Sequence, residues 1–204
     1  MKPKLRTIVV ATGNAGKAHE IAAALKGLPF RILRLSDLDI GADYEETGLT
    51  FAANARGKAE FYSRLSGLPT LADDSGLVVA ALGGAPGVVS ARYSGTNAND
   101  ARNNRKLLRA LAGVPDAERG ARFVCCMALA RDGRTIKQVT GRVGGRILRQ
   151  PRGSQGFGYD PLFFYRKLGR TFAEMPAEVK NGFSHRGRAI RKMAAYIAEY
   201  PEAL

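Results

Sequence analysis

A chain of 204 residues with 45% hydrophobic and 25% charged residues has enough apolar matter for a buried core, which excludes a disordered segment. No apolar run reaches bilayer-spanning length, and Ile8 to Ala11, behind the basic start Met1-Lys2-Pro3-Lys4, is too short for a signal peptide, so the expectation is a cytoplasmic protein with no membrane partner. The excess of 32 Lys and Arg over 18 Asp and Glu, a formal charge of +14, calls for an anionic partner, but the basic residues form no dense tract or aromatic-interleaved stripe, so no specific nucleic acid is expected.

Leu5 to Ala11 is β-branched and apolar and reads as a buried strand, Thr12 to Gly16 as a small-residue turn, and Lys17 to Leu25 as a helix stopped at Gly27. Phe30 to Leu35 is a second strand, so the opening is β-α-β and points to an α/β sheet. Residues 36–49 are acidic and loop-like. Thr50 to Leu65 reads as a helix, with Phe51, Ala55, Ala59 and Tyr62 at three- and four-residue spacing, Thr50 as N-cap and Gly67 as stop. A third short strand leads into Asp73-Asp74; Leu77 to Leu82 is compatible with strand or helix; Gly83 to Gly87 is a loop; Asn99 to Leu111 reads as a helix with a basic face. Arg122 to Arg131 and Thr135 to Val143 flank Asp132-Gly133, a strong hairpin signal. Gly156 to Phe164 is rich in glycine and aromatics, and Ser184 is placed to cap a final helix ending near Tyr200. A hairpin beside a β-α-β opening predicts a mixed central sheet flanked by helices. With no internal repeat and no Pro/Ser-rich linker, residues 1–204 read as a single domain. Cys125 and Cys126 are neighbours in an apolar run and read as small core residues, without disulfide or metal spacing.

In so basic a chain, Asp73-Asp74 is the most informative spot. Adjacent carboxylates repel unless a cation neutralises them, and a divalent metal with oxygen ligands does that. Asp-Asp-Ser-Gly is equally good chemistry for a solvated turn, and on these four residues alone both readings stand. Thr12-Gly13-Asn14-Ala15-Gly16-Lys17 lies between strand and helix, where first-turn N–H groups and a lysine favour phosphate. It is not a Walker A loop, which needs Gly where Ala11 stands and Ser or Thr where Ala18 stands, and its plain alternative is an ordinary β-α turn. Glu45-Glu46-Thr47-Gly48 is either a solvated loop or the source of a carboxylate that completes a metal site with Asp74. Asn54 and Lys58 share a helix face one turn apart; the lysine can reach a phosphate, and an asparagine inside a helix needs a reason. In Gly156-Phe157-Gly158-Tyr159-Asp160-Pro161 the glycines allow close backbone approach and Phe157 offers a face to a base. His185 and Arg186, in Lys180-Asn181-Gly182-Phe183-Ser184-His185-Arg186, are donors for a keto oxygen or a phosphate, whereas His19 reads as a surface residue.

Taken together and in this order, the segments Thr12 to Lys17, Glu45 to Gly48, Asp73 to Leu77, Gly84 to Val88 with Ser90 to Gly95, Gly156 to Pro161, and Lys180 with Ser184-His185-Arg186 closely resemble the inosine triphosphate pyrophosphatase family, including its bacterial branch. The resemblance spans nearly the full length, and Asp73 to Gly95 is its most specific stretch. It implies an elongated mixed α/β sheet in two lobes with an active-site cleft between them, and a homodimer. It also implies Mg2+-dependent hydrolysis of non-standard purine nucleoside triphosphates (dITP, ITP, XTP, dXTP) to the monophosphate and pyrophosphate, a cleansing of the nucleotide pool. Carried over residue by residue, it makes Asp74 the catalytic proton acceptor and, with Glu46, a magnesium ligand. Thr12, Gly13, Asn14, Ala15, Gly16 and Lys17 bind the triphosphate, with Lys58 near the phosphates, and Ser75 contacts substrate. Phe157, Gly158, Tyr159, Asp160, His185 and Arg186 surround the base, and Lys180 lies near phosphates or base. Asp73 is read as structural or supporting. Two positions depart from the family pattern: Ala53 replaces a usual Glu, and Val179 precedes Lys180 where Glu is common, with Glu178 one residue earlier.

Two other readings remain beside this one. A pyrophosphatase for other modified nucleotides, pyrimidines among them, is disfavoured by Ser184-His185-Arg186. A basic nucleic-acid-binding protein without turnover would bind oligonucleotides in a salt-sensitive way.

Overall fold

The β-branched run Thr7-Ile8-Val9-Val10 forms the centre of β1 (Arg6–Ala11), which the computed structural model, describing residues 6–25 and 30–204, follows with α1 (Ala15–Leu25) and β2 (Phe30–Arg34). Leu5 and Gly27, read as strand start and helix stop, lie outside the described residues. Then come α2 (Phe51–Ser66), β3 (Thr70–Val79), α3 (Asp100–Ala110), β4 (Gly120–Arg131), β5 (Arg134–Ile147), β6 (Phe163–Tyr165), β7 (Arg170–Thr171), α4 (Ala177–Phe183) and α5 (His185–Glu199). Seven strands hydrogen-bond in the order β2-β1-β3-β4-β5-β6-β7. β2 and β3 both run parallel to β1, as crossovers through helices require, while β6 is antiparallel to β5 and to β7. The sheet is therefore mixed and flanked by helices, as the sequence predicts.

The chain divides into two compact units, and each has its own core. One comprises the described residues up to Asp74, with Cys125–Gly141 and Arg186–Leu204; the other comprises Ser75–Val124 and Arg142–His185. In the first, Ile8, Val10, Leu71, Cys125, Met127 and Leu129 from the strands pack with Ile21 and Leu25 of α1 and with Ala189, Ile190, Met193 and Ile197 of α5. In the second, Leu77, Val79, Phe123, Val143, Ile147 and Phe163 pack with Leu107 and Leu111 and with the aromatics Tyr159, Tyr165 and Phe172. There the buried Arg119 donates to the carbonyls of Leu111, Ile147 and Leu148, so a guanidinium terminates α3.

Local signals set several boundaries. Thr50 Oγ accepts from Ala53 N–H at 3.1 Å, and Gly67 ends α2 at φ 64, in the left-handed region glycine adopts without strain. Asp132 (φ 53) and Gly133 (φ 74) turn β4 into β5 with both central residues left-handed, as a two-residue hairpin requires. Asn99 caps α3 through Arg102 N–H at 2.9 Å.

One local reading is corrected. Asp73-Asp74-Ser75-Gly76 is no turn, because β3 runs without interruption from Thr70 to Val79. Turn propensity loses here to close approach: a Cβ on Gly76 would strike Ser90 Oγ and, at 2.7 Å, the Gly87 carbonyl. Leu77 to Leu82 then divides, strand to Val79 and a single 3-10 turn over Ala80–Leu82. The final helix begins and ends as read, α5 following the extended Ser184, and the short α4 before it is an addition that the sequence reading did not make.

The Thr50 cap is a direct test of how α2 is anchored. Thr50→Ala should cost about 1 kcal/mol of unfolding free energy while Thr50→Ser stays close to wild type, as read by urea denaturation. Equal stability of all three would remove the cap from the account.

Candidate active site

Side chains alternate across a strand, so Asp73 and Asp74 point to opposite faces of β3. Both are buried, at 0% and 4% exposure, and each needs its own neutralising set.

On the Asp74 face lies α2. Asn54 Nδ2 donates to Asp74 Oδ2 at 2.9 Å, and Asn54 Oδ1 accepts from Gly48 N–H at 2.7 Å. That double engagement is the reason for an asparagine inside a helix: it ties the acidic loop to the buried carboxylate. One turn on, Lys58 is 9% exposed and ion-paired with Glu46. The loop is held against α2 further along, where Tyr44 N–H donates to Tyr62 Oη at 3.3 Å and the Tyr44 ring meets Phe61 at 5.7 Å, tilted by 51°. Burial pushes the Asp74 carboxyl above its ordinary value; the Asn54 hydrogen bond and Lys17 pull it down, Glu46 pushes it up and Lys58 pulls it down, and the net shift is upward. For Lys58, burial lowers the pKa but Asp73, Glu46 and Asp74 outweigh it, so the ammonium is held above its usual value.

On the Asp73 face lie α1 and α5. Lys17 Nζ stands 3.6 Å from Asp73 Oδ2, Arg186 Nε 3.4 Å from the same oxygen, and the Cys125 thiol 3.7 Å away. Arg186, 1% exposed, is also ion-paired with the buried Glu20. Burial opposes its charge, but Asp73 and Glu20 more than offset that and hold the guanidinium above its usual pKa. Burial, then Asp73, push the Cys125 thiol well up, so it remains a thiol. Glu20 had no signal in the sequence: its neighbour His19 is exposed as expected, and its partner lies 166 residues away.

The turn before α1 is internally capped. Asn14 Oδ1 accepts from Lys17 N–H at 2.9 Å, and Asn14 N–H donates to Thr12 Oγ at 3.3 Å. Gly13 and Asn14 are exposed and Gly16 and Lys17 half-buried, so this helix start is open to an anion.

The remaining predicted residues belong to the second unit. Ser75 is half-buried on β3. The Asp160 carboxylate accepts from Phe157 N–H at 3.1 Å and from Lys180 Nζ at 2.6 Å, and Lys180 Nζ stands 5.0 Å over the Phe157 ring. Gly156 is a glycine because a Cβ there would strike the Asp160 carboxylate, and its φ is 74. Tyr159 donates from its hydroxyl to Ser90 O at 2.8 Å, and His185 stacks on Phe123 at 4.7 Å and 11°. Of the residues expected round a base, Phe157, Gly158, Tyr159, Asp160, Lys180 and His185 thus fall in one unit, while Arg186 is built into the carboxylate network of the other. Val179 is 47% exposed and Glu178 exposed, away from these contacts.

Asp74 and Glu46 could hold a hard cation. Among the described residues no group of three or more His, Cys, Asp or Glu side chains is set for a metal. A pair suffices for magnesium, which keeps waters and substrate phosphates in its other positions.

The mixed seven-stranded sheet places the chain in a class of α/β proteins with solved members. The structure of a HAM1 protein from Coxiella burnetii matches it with a TM-score of 0.88 at 41% identity, over 96% of this chain and 100% of that one. A profile of the Ham1 family matches residues 8–196, and the chain belongs to that family. A dITP/XTP pyrophosphatase from Geobacter sulfurreducens is 55% identical over 93% of this chain and 96% of its own length, and one from Geobacillus kaustophilus is 50% identical over 93% of each. These relatives bear out the family resemblance carried by the segments from Thr12 to Arg186. No helix among the described residues is long and apolar enough to cross a membrane.

Two outcomes follow from the buried charges. Because the folded pKa of Asp74 lies above the ordinary carboxylate value of 3.8, the folded chain binds its proton more tightly than the unfolded one, and the stability linked to that proton is lost as pH rises through the folded value. Asp74→Asn should therefore melt above wild type at pH 7, with the gap closing toward pH 3.8; a variant less stable at pH 7 would contradict the desolvation account. Arg186→Leu leaves Glu20 and Asp73 short of a counter-charge and should cost about 3–5 kcal/mol by chemical denaturation. In the Arg186→Leu/Glu20→Leu pair the loss should be smaller than the sum of the single losses, and strict additivity would show the two side chains to be uncoupled.

Proposed function

We propose that this chain hydrolyses non-standard purine nucleoside triphosphates (dITP, ITP, XTP and dXTP) to the monophosphate and pyrophosphate, with Mg2+ as cofactor. The observation that carries the reading is the buried Asp74, oriented by Asn54 beside the Lys58–Glu46 pair, in a Ham1-family chain 55% identical to a dITP/XTP pyrophosphatase. Asp74 and Glu46 would hold the magnesium ion, which when bound neutralises phosphate charge and the departing pyrophosphate. The chain's own groups do the rest. Thr12 to Lys17 receive the triphosphate at the start of α1, and Lys17 and Lys58 spread its negative charge. Asp74 orients the attacking water and takes its proton, a role suited to a carboxylate whose pKa burial has raised. The water oxygen bonds to phosphorus as the bond between the α- and β-phosphates breaks, and the electron pair leaves with pyrophosphate.

Ser75 contacts the substrate, Phe157 supplies a stacking face, and Gly158, Tyr159, Asp160, Lys180 and His185 complete the base pocket. A donor there suits the keto oxygen of hypoxanthine or xanthine, whereas the amine of adenine would face it with another donor. Arg186 reaches the base through the setting of its neighbour His185 and holds Asp73. Residues 1–204 act as one catalytic domain, the protein is a cytoplasmic homodimer, and its role is to clear deaminated purines from the nucleotide pool.

Incubation with magnesium and separate ITP, XTP, dITP, ATP, GTP and dUTP, with pyrophosphate and orthophosphate quantified independently, tests the reading. Pyrophosphate from ITP, XTP and dITP is expected, with Asp74→Asn losing at least about a hundredfold in kcat. Orthophosphate as first product, or oligonucleotide binding with no turnover of ITP or XTP, would sink it.

A further inference from the structure

Gly158 sits in a segment that should not hold still. Gly153, Gly156 and Gly158 all have φ between 61 and 78, conformations that glycine enters readily and leaves as readily. Within the second unit, α3 grips this segment from outside. Asp100 Oδ2 accepts from Gly158 N–H at 2.6 Å, and Asn104 Nδ2 donates to Gly158 O at 2.8 Å. Asp100 and Asn104 are four residues apart, hence neighbours on one helix face, and together they engage both polar backbone groups of a single residue. The chemistry of each grip is one-way. The carboxylate can only accept and the amide nitrogen can only donate, and Asn104 Oδ1 has no hydrogen-bond partner among the described residues, so the NH2 end carries the contact. The same helix reaches the segment's other anchor. Asn103 Oδ1 accepts from Ser94 N–H at 2.8 Å and its Nδ2 donates to Ala91 O at 3.0 Å, beside Ser90, whose carbonyl receives the Tyr159 hydroxyl. Phe157 is thus fixed on one side by Asp160 and Lys180 and on the other by α3 acting through Gly158.

We infer that Asp100 and Asn104 are positioning residues for the purine: a two-pronged clamp on Gly158 that presets the Phe157 face on which the base stacks. The inference rests on the reading of Phe157 as part of the base pocket. It also assigns the Gly158 N–H to the protein, which leaves recognition of the base edge to other donors. Loosening the clamp should weaken binding of the base and leave bond cleavage, carried by Asp74, almost untouched.

The test measures KM and kcat for ITP in Asp100→Ala, Asp100→Asn, Asn104→Ala and Asn104→Asp, together with melting temperature and hydrogen exchange of the Gly158 amide by NMR. Asp100→Asn keeps an acceptor and should behave like wild type. Asn104→Asp is isosteric but loses its donor and should be no better than Asn104→Ala. Each lost hydrogen bond should raise KM about fivefold with kcat within about twofold, and speed Gly158 exchange about tenfold without global unfolding. Both isosteric variants behaving alike, or Gly158 exchange unchanged in both alanine variants, would overturn the clamp. The exchange measurement needs no turnover, so a wild-type protein inert toward ITP would refute the proposed activity while leaving the clamp to stand or fall on its own result.

Discussion

Two neighbouring carboxylates can both be buried in this protein because they lie on a strand and not in a turn. The two-residue period of β3 sends Asp73 toward α1 and α5 and Asp74 toward α2. Their repulsion is thereby eased: each carboxylate meets its own hydrogen-bonding partners, while Lys17 and Lys58 act on both. On one side a guanidinium and an ammonium neutralise Asp73, and Glu20 balances the surplus cation. On the other, Asn54 donates a hydrogen bond to Asp74, and Lys17 and Lys58, the latter ion-paired with Glu46, pull its pKa down without offsetting burial. The first arrangement is closed and built for permanence. In the second, burial holds the carboxylate above its ordinary pKa. One peptide unit separates the acid held by Arg186 and Lys17 from the one proposed to do the chemistry.

That contrast explains how a chain with two cores can be divided where it is. The boundary falls between Asp74 and Ser75 and again between His185 and Arg186, inside two of the most specific motifs. In each case a single motif serves both units: Asp74 goes with the first core and Ser75 with the second, His185 with the stacked aromatics and Arg186 with the buried acids. Motif adjacency in the sequence is therefore no guide to shared role. His185 and Arg186 read as one base-facing pair; His185 stacks on Phe123, while the guanidinium is ion-paired with Glu20 and Asp73.

Signals that act over a few residues were legible beforehand. Thr50 and Gly67 bound α2, Asp132-Gly133 makes the hairpin, and Asn99 starts α3, because caps and left-handed turns depend on local chemistry. The mixed sheet followed from their order. What escaped depended on distant partners. Asp-Asp-Ser-Gly has every mark of a turn until the backbone of Gly87 and the hydroxyl of Ser90 are known to press on Gly76. Glu20 looks like any glutamate beside a surface histidine until Arg186 arrives from the far end of the chain. Lys58 and the acidic loop at Glu46 could each be named from the sequence, but not their pairing with one another.

Asn54 carries one last implication. Its amide fits only one way round, nitrogen toward Asp74 and oxygen toward the Gly48 N–H. Replacing that single NH2 by oxygen would give an aspartate of the same shape that faces Asp74 with a second negative charge. Adenine becomes hypoxanthine by the same exchange of an amine for an oxygen. The buried helix around Asn54, which restrains the backbone from attacking the side chain, thus guards the scaffold against the kind of chemical ageing that its proposed substrates have already undergone.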